Sequence, residues 1–255
     1  MRLGRTIRRA ALILVAVIAA GAAVLYLLVS RVPGGYGPVH LGADEKDKAM
    51  GQFRRRIMDF NNDGQRNEAF TWSLTEEEIN RYLEAADEIA VEQGAKPGAV
   101  PQALHKAGLS DLSVSLRDGA LRLMARSTKY QKIISVRVSH RFDEAGKLYV
   151  GVEGLRVGLL PVPASFLREK VEAIRSALAR SVRGGKGKSS GPTGLSAQDA
   201  DEVARHILAA LDGQPINTEV TWRISARKRV RIERIEIADG KLTLHVVPVP
   251  PREDK

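Results

Sequence analysis

Few residues in this chain have the types and the spacing that chemistry requires, and one such group begins at Asp59. Asp59, Asn61 and Asp63 place side-chain oxygens at alternate positions ahead of Gly64, which is how an EF-hand calcium loop opens. The last ligand position of that loop would be Phe70 instead of a bidentate glutamate, so a calcium ion would lack its strongest ligand. We therefore interpret this segment as a polar turn that ends a helix, and we predict no metal site.

A second group, Gly187-Lys188-Ser189, matches the end of a phosphate-binding loop. The first glycine of that motif would fall at Val182, and the motif should follow a strand, whereas this stretch follows a predicted helix. Glycine, lysine and serine dominate residues 183–195, a composition that is typical of a flexible linker. We interpret this stretch as an insertion, and we predict no nucleotide and no other cofactor.

The five histidines are the remaining candidates for catalysis, and none belongs to a recognised ligand or triad pattern. The chain contains no Gly-x-Ser-x-Gly elbow and no His-Glu-x-x-His motif, and the absence of cysteine excludes a thiol nucleophile. His140 lies on the apolar side of a predicted strand, where we expect a hydrogen-bonded core histidine. We predict no catalytic residue. Two carboxylates that act as catalytic acid and base can be far apart in the sequence and so leave no local motif. An envelope hydrolase is therefore the lesser alternative.

Two runs of basic residues could contact an anionic partner. The first consists of Arg168, Lys170, Arg175, Arg180, Arg183, Lys186 and Lys188. The second, which also includes Arg234, contains the residues for which we predict contact with anionic lipid headgroups, namely Arg223, Arg227, Lys228, Arg229 and Arg231. A basic side chain held near an anionic bilayer gains about 1 kcal/mol. The alternative is a solvated face that contacts no partner.

Residues 10–29 form an apolar stretch without charge or proline. A helix of that length spans about 30 Å, which is the thickness of the hydrocarbon core of a bilayer. Four arginines precede the stretch and no acidic residue occurs before Asp44, so the positive-inside rule predicts a cytoplasmic N-terminus. We predict a cytoplasmic stub and single-pass anchor over residues 1–31, in the inner or plasma membrane. Signal-peptide cleavage near Ala22 is the alternative, and it would leave an apolar mature terminus.

The net charge of +10 does not indicate a nucleic-acid partner. Half of the excess belongs to arginines that flank the apolar stretch, and membrane topology accounts for them. Nucleic-acid binding would also require a concentrated basic face, in a compartment that holds nucleic acid. We therefore predict that the partners are the membrane and either a lipid or an envelope protein, with no nucleic acid.

Beyond the anchor we predict an α+β fold, in which an antiparallel sheet of about six strands packs against amphipathic helices. A linker rich in proline and glycine occupies residues 32–42, the extracytoplasmic domain occupies 43–248, and a polar tail occupies 249–255. Thr75 and Glu78 form a capping box that should start a helix. The alternation of apolar residues slips by one at Gly154, which predicts a β-bulge.

Two stretches of the predicted domain repeat each other. Residues 114–123 match residues 235–244 apolar for apolar, with the two Asp-Gly turns aligned. Residues 70–74 likewise match residues 220–224. Asp-Gly hairpins are also alike by chance, because that dipeptide suits a tight turn. If the repeat is real, the domain contains two similar hairpins that pack into one antiparallel sheet.

The order of these parts resembles the YpmS-like family of bacterial membrane-anchored proteins. The residues that carry the resemblance are the strand at 70–75, the helix start at 78–83, and the segment at 155–163 that precedes a helix. The resemblance covers about residues 70–180. It implies an N-terminal anchor followed by long antiparallel strands outside the cytoplasm, and it carries no catalytic residues to this chain.

These observations favour binding over catalysis. We expect a membrane-anchored extracytoplasmic module that binds an apolar ligand such as a lipid, or a protein partner, because alternating strands and amphipathic helices can enclose an apolar groove. The alternative is a structural or assembly component of a cell-envelope complex, in which every apolar face belongs to the core.

Overall fold

A computed structural model of the chain describes residues 18–92, 94–143, 147–163, 215–217, 221–224 and 228–249, which form five helices and ten strands. The helices are α1 (18–30), α2 (Ala43–Gln65), α3 (Glu76–Glu84), α4 (Ala86–Glu92) and α5 (Ala99–Lys106). The strands are β1 (Phe70–Thr75), β2 (Leu109–Arg117), β3 (Ala120–Ser127), β4 (Ile133–Phe142), β5 (Leu148–Val157), β6 (Leu160–Pro161), β7 (Pro215–Asn217), β8 (Thr221–Arg223), β9 (Arg229–Ala238) and β10 (Lys241–Val249). This arrangement confirms the predicted α+β class.

The described strands form two sheets, whereas a single sheet of about six strands was predicted. The four-stranded sheet has the order β1-β10-β9-β8, and the six-stranded sheet has the order β2-β3-β4-β5-β6 with β7 also paired to β5. All of these pairings are antiparallel. The prediction of one sheet was wrong because the two repeated hairpins, β2–β3 and β9–β10, meet through their apolar faces and not edge to edge.

Equivalent residues of the two hairpins build the core between the sheets. Val114, Leu116 and Ile237 are buried together, and Ile235 and Leu242 pack against them. In the aligned repeat Val114 corresponds to Ile235 and Leu116 to Ile237. Both turns have the left-handed backbone that Asp-Gly turns favour, with φ of 55° at Asp118 and 50° at Asp239.

α2 continues beyond the point where a turn was predicted. Residues 59–64 are helical, and the helix ends at Gln65, so the interpretation of this segment as a turn was wrong. Phe60 lies in a buried cluster with Val230 and Val246 of the four-stranded sheet, and this packing favours helix over the local turn preference. A Cβ at Gly64 would lie 2.8 Å from Cγ1 of Ile224, so the absence of a side chain lets α2 approach the sheet.

α3 begins at the predicted capping box and is attached to β2 through Asn80. The Thr75 hydroxyl accepts a hydrogen bond from the N–H of Glu78 at 3.1 Å, and the N–H of Thr75 donates to the Glu78 carboxylate at 2.9 Å, which confirms the capping box. The buried amide of Asn80 then pairs with both backbone groups of Val114, at 2.7 and 2.9 Å. α3 therefore covers the outer edge of β2.

Two irregularities in strand pairing follow the sequence. The pairing of β4 with β5 shifts between Arg137, which faces Gly154, and Val138, which faces Val152. This shift confirms the predicted bulge at Gly154. A second shift in the pairing of β10 with β9, between His245 and Val246, accounts for the slip in alternation along β9.

The predicted linker crosses the face of the six-stranded sheet that points away from the four-stranded one. The Tyr36 hydroxyl donates to the carbonyl of Asp111 at 3.1 Å, and the Gly37 N–H donates to Ser113 Oγ at 3.4 Å. Pro33 is buried in this contact. Burial, followed by the Asp111 carboxylate, raises the pKa of Tyr36, so its phenol stays protonated at neutral pH.

The predicted anchor lies only partly within the described residues. α1 covers the second half of it, and the described ranges contain no helix that is both long and apolar enough to span a bilayer. Outside these ranges lie residues 1–17, the predicted helix at 164–182, the insertion at 183–195, the helix predicted to start at Ser196, and the tail beyond Val249.

Candidate functional site

An open apolar surface on the six-stranded sheet is the strongest candidate for a binding site. We call it the open apolar face, and it consists of Leu123, Val136, Val138, Val152 and Leu155. The side chain of Leu123 is 46% exposed and that of Val152 is 37% exposed, while the other three are half-buried. Large apolar side chains at this exposure, contiguous across three strands, are unusual for a surface without a partner.

Strand register brings these residues onto one face. Leu123 of β3 lies opposite Val136 of β4, and Val136 lies opposite Leu155 of β5. Val138 lies opposite Val152. Residues directly opposite each other in an antiparallel pair point to the same side of the sheet, so the set forms one continuous surface.

The open apolar face continues from the buried core between the two sheets. Leu123 lies opposite Val114, which is buried against β9 and α3. His140, on the same side of β4 as Val138, has its Nε2 2.9 Å from the carbonyl oxygen of Ile235 in β9. This contact confirms the expectation of a hydrogen-bonded core histidine. The four-stranded sheet thus packs on the apolar side of β2–β4 near Val114 and His140. The open apolar face is the adjoining part of that side, on which the described strands of the four-stranded sheet do not pack.

A separate cavity of about 620 Å³ lies between α3, α5 and the start of β2. Leu83, Leu104 and Leu112 form part of its apolar wall. Two of the carboxylates that line it are already engaged. Asp87 accepts the N–H groups of Gly98 and Val100 at 2.7 and 3.0 Å, and Asp111 accepts from Arg126 Nε at 2.9 Å. The cavity is therefore amphipathic, and these two carboxylates serve to hold loops and strands in place.

An ion pair with clear electrostatic coupling lies at the start of α3. The Nε of Arg56 donates to the Glu78 carboxylate at 3.0 Å. Partial burial raises the pKa of Glu78, but the hydrogen bonds from Thr75 and Arg56 outweigh burial, and the pKa lies below its usual value. Burial and the Glu78 carboxylate raise the pKa of Tyr82. These contacts hold α2, α3 and β1 together.

The described residues contain no group of three or more His, Asp or Glu side chains placed to hold a metal ion. Glu76 and Glu77 line a polar hollow together with Asp118 and Asp239. The Glu76 carboxylate is used there by the N–H of Leu116, at 2.7 Å. Glu76 therefore serves to hold the end of β2 against the start of α3.

Three of the five residues predicted to contact lipid headgroups, Arg223, Arg229 and Arg231, lie on the neighbouring strands β8 and β9 of the four-stranded sheet. Arg229 and Arg231 alternate with buried Val230, so they lie on the outer face of the four-stranded sheet. In the strand register Arg223 is the partner of Arg229. Lys228 donates to the carbonyl of Gln65 at the end of α2. Arg227 lies outside the described residues. Membrane contact through this set stays a prediction.

Sequence reasoning found the strands of the open apolar face but not their exposure. The alternation of Val136 and Val138 predicts a face that is buried against another layer. Within the described part of the chain, the exposure of Leu123 and Val152 depends on where the four-stranded sheet ends, which no local sequence pattern encodes.

No family model, no curated protein and no solved structure matches this chain. The resemblance to the YpmS-like family, like the function that it implies, stays a prediction.

Proposed function

We propose that this protein is a membrane-anchored extracytoplasmic module that binds an apolar ligand, such as the acyl chain of a lipid, on the open apolar face. The observation that carries this proposal is the exposure of Leu123 and Val152 on a face whose other end is a buried core. Burial of apolar surface yields about 25 cal/mol per Å², so an acyl chain laid across three strands would bind favourably. The ligand would need no charged partner on that face.

The proposed membrane anchor is the apolar stretch at residues 10–29. Residues 10–29 carry no charge, and the basic residues lie on the N-terminal side of them. In α1 the side chains of Ile18, Val24, Leu25 and Leu27 are exposed, as they would be in a helix that lipid surrounds. This topology supports an extracytoplasmic position for the domain, at the inner or plasma membrane, as in the YpmS-like proteins that the chain resembles.

A second candidate is an assembly component of an envelope complex. The open apolar face is formed by neighbouring strands, and the apolar face of a partner protein could cover it as an acyl chain could. In that case purified protein would carry no lipid on this face, and crosslinking in intact cells would recover one reproducible partner. We favour the lipid because the face continues directly into the apolar core.

The test is lipid analysis of the full chain with the open apolar face intact or charged. Leu123→Lys combined with Val152→Lys places two cations on the face. Gln52→Lys combined with Asn62→Lys adds the same charge to exposed positions of α2 and is the matched control. After purification from membranes and exchange into a lipid-free detergent, we expect mass spectrometry to find copurifying lipid with the wild type and the control, and much less with the face variant.

Equal lipid content in all three proteins would contradict the proposal. So would a melting temperature of the wild type that added lipid leaves unchanged. The melting temperature of the face variant without lipid reports whether it is folded, so that lost binding is distinguished from lost structure.

A further inference from the structure

The C-terminal end of α1 is docked on the domain. The N–H of Leu159, in the turn between β5 and β6, donates to the carbonyl of Leu28 at 2.9 Å. The ammonium of Lys132, the residue before β4, donates to Ser30 Oγ at 2.8 Å. Gly158 has a left-handed backbone, with φ of 59°, and a Cβ there would collide with the carbonyls of Leu28 and Val29. The helix therefore enters the domain in a defined orientation.

Basic and aromatic side chains surround this docking point. We call them the anchor-side rim, and they are Tyr26, Arg31, Lys129, Tyr130 and Lys132. The Nζ of Lys132 lies 5.1 Å from the ring centre of Tyr26, and the Nζ of Lys129 lies 5.2 Å from that of Tyr130. Tyr26 is 67% exposed and Tyr130 is 65% exposed, although both are large aromatic residues.

The rim contains three basic side chains, those of Arg31, Lys129 and Lys132. Within the described part of the chain no acidic side chain lies within ion-pair distance of Arg31, Lys129 or Lys132. Tyrosine is enriched at the level of lipid headgroups, because its ring is apolar and its hydroxyl is polar. Lysine extends its apolar stem along a membrane and keeps its ammonium among the headgroups. This composition, beside the end of an apolar helix, fits an anionic bilayer surface.

We propose that the anchor-side rim rests on the headgroups of an anionic bilayer and that the docking of α1 fixes the domain in that orientation. This inference rests on the proposed anchor and adds to it the surface that faces the membrane. It differs from the sequence-based prediction, which assigned membrane contact to the second basic run.

The contacts that β9 makes with the six-stranded sheet lie away from the rim: its Ile235 carbonyl lies 2.9 Å from His140 Nε2, at the opposite end of β4 from Lys132. The rim lies at the Ser127 end of β3, whereas the four-stranded sheet meets the six-stranded sheet at the Ala120 end, through the hydrogen bond of Gly240 N–H to Leu116 O. Eight residues of strand separate these ends by about 25 Å. Charges in physiological salt are screened over about 8 Å, so in the proposed orientation we expect Arg229 and Arg231, on β9, to feel less of the headgroup field than the rim does.

The absence of cysteine makes the proposal directly testable in the full chain. Tyr130→Cys and Arg231→Cys each give one site for an environment-sensitive fluorophore. The labelled proteins are reconstituted in vesicles of phosphatidylethanolamine and phosphatidylglycerol that contain a headgroup-spin-labelled lipid quencher. We expect several-fold stronger quenching of the label at position 130 than of the label at position 231. Equal quenching, or stronger quenching at position 231, would overturn the proposed orientation.

Charge reversal supplies a second measurement. Lys129→Glu in the Tyr130→Cys background should lower the quenching toward the value seen in vesicles without phosphatidylglycerol. Lys241→Glu makes the same charge change at an exposed position of β10 and should leave the quenching unchanged. Identical behaviour of the two variants would show that the rim does not bind anionic headgroups.

Failure of the anchor is recognised separately. If alkaline extraction releases the full chain from the vesicles, the anchor and the rim are both wrong. If the chain stays in the vesicles and the two labels are quenched alike, only the rim is wrong. Neither result affects the lipid content of the open apolar face.

Discussion

Single glycines decide how closely elements approach in this protein. Gly64 sits where α2 crosses the four-stranded sheet, and Gly158 sits where α1 meets the turn between β5 and β6. By contrast, a Cβ at Gly51 or Gly119 would meet nothing within 4 Å. At Gly64 and Gly158 a side chain would collide with a neighbouring element, whereas at Gly51 and Gly119 it would not. Comparing Gly64 with Gly51, and Gly158 with Gly119, therefore separates the effect of a steric collision from the effect of reduced backbone freedom.

The two glycines of α2 differ in the space around them: a Cβ at Gly64 would collide with Ile224, and a Cβ at Gly51 would meet nothing within 4 Å. Gly64→Ala should lower the free energy of unfolding by about 1–3 kcal/mol, because the new methyl group collides with the side chain of Ile224. Gly51→Ala should raise that free energy by about 0.5–1 kcal/mol, because alanine loses less backbone entropy in a helix and the space is open. Urea unfolding of both variants tests this, and a loss of stability in both would contradict it.

At the scale of elements, α3 links the helical layer to both sheets. Its capping box fixes where the helix begins after β1, the ion pair of Arg56 with Glu78 ties it to α2, and Asn80 pairs with the edge of β2. This short helix thus supplies hydrogen-bond partners for backbone groups at the edge of the six-stranded sheet. It also holds Leu83 in the wall of the cavity.

The pH dependence of stability should reveal the contacts of Glu78. Its pKa in the folded protein lies below the unfolded value of 4.5, so its stabilising effect is complete above that value and is lost as the pH falls through the folded pKa. Glu78→Gln should lower the free energy of unfolding at pH 7 by about 1 kcal/mol, which allows for an ion pair that is partly open to solvent. The difference in the free energy of unfolding between Glu78→Gln and the wild type should become smaller as the pH is lowered.

Glu77→Gln is the matched control, since the Glu77 side chain is mostly exposed and its ion-pair distance to Arg81 is 4.0 Å. Urea unfolding at a series of pH values measures both variants. A difference between Glu78→Gln and the wild type that is the same at pH 3 and pH 7 would mean that charge on Glu78 does not stabilise the fold.

At the scale of the whole molecule, two repeated hairpins form the centre and each is extended differently. β1 and β8 extend the β9–β10 hairpin on both sides, while β4, β5 and β6 extend the β2–β3 hairpin on one side. Because the six-stranded sheet extends beyond the four-stranded one, the described elements leave part of its apolar face open. α1 is docked at the end of the larger sheet that lies away from the smaller one.

The docking of α1 on the whole domain can be tested at Gly158. Gly158→Ala should free the end of α1, and the amide of Leu159, which donates to Leu28, should then exchange with solvent much faster. Gly119→Ala is the control, because Gly119 has a similar φ of 67° but open space around its Cα. Hydrogen exchange of the full chain measures both. Equal protection of Leu159 in the two variants would show that no close contact depends on Gly158.

Local chemistry in the sequence predicted much of this fold. The capping box at Thr75, the Asp-Gly turns and the bulge at Gly154 each depend on residues within one or two turns of chain. The end of α2 was predicted wrongly because residues 59–64 have turn preferences locally, while the packing of Phe60 on the four-stranded sheet favours a helix.

The sequence by itself determined the α+β class, the strand alternation, the hairpins and the apolar stretch ahead of the domain. Tertiary structure decided that the hairpins face each other in two sheets, that Leu123 and Val152 stay exposed, and that α1 docks beside Lys132 and Gly158. The physical reason is range. Periodicity and turn chemistry act between neighbours in the chain, whereas burial depends on residues that meet only after folding, as Leu116 and Gly240 do.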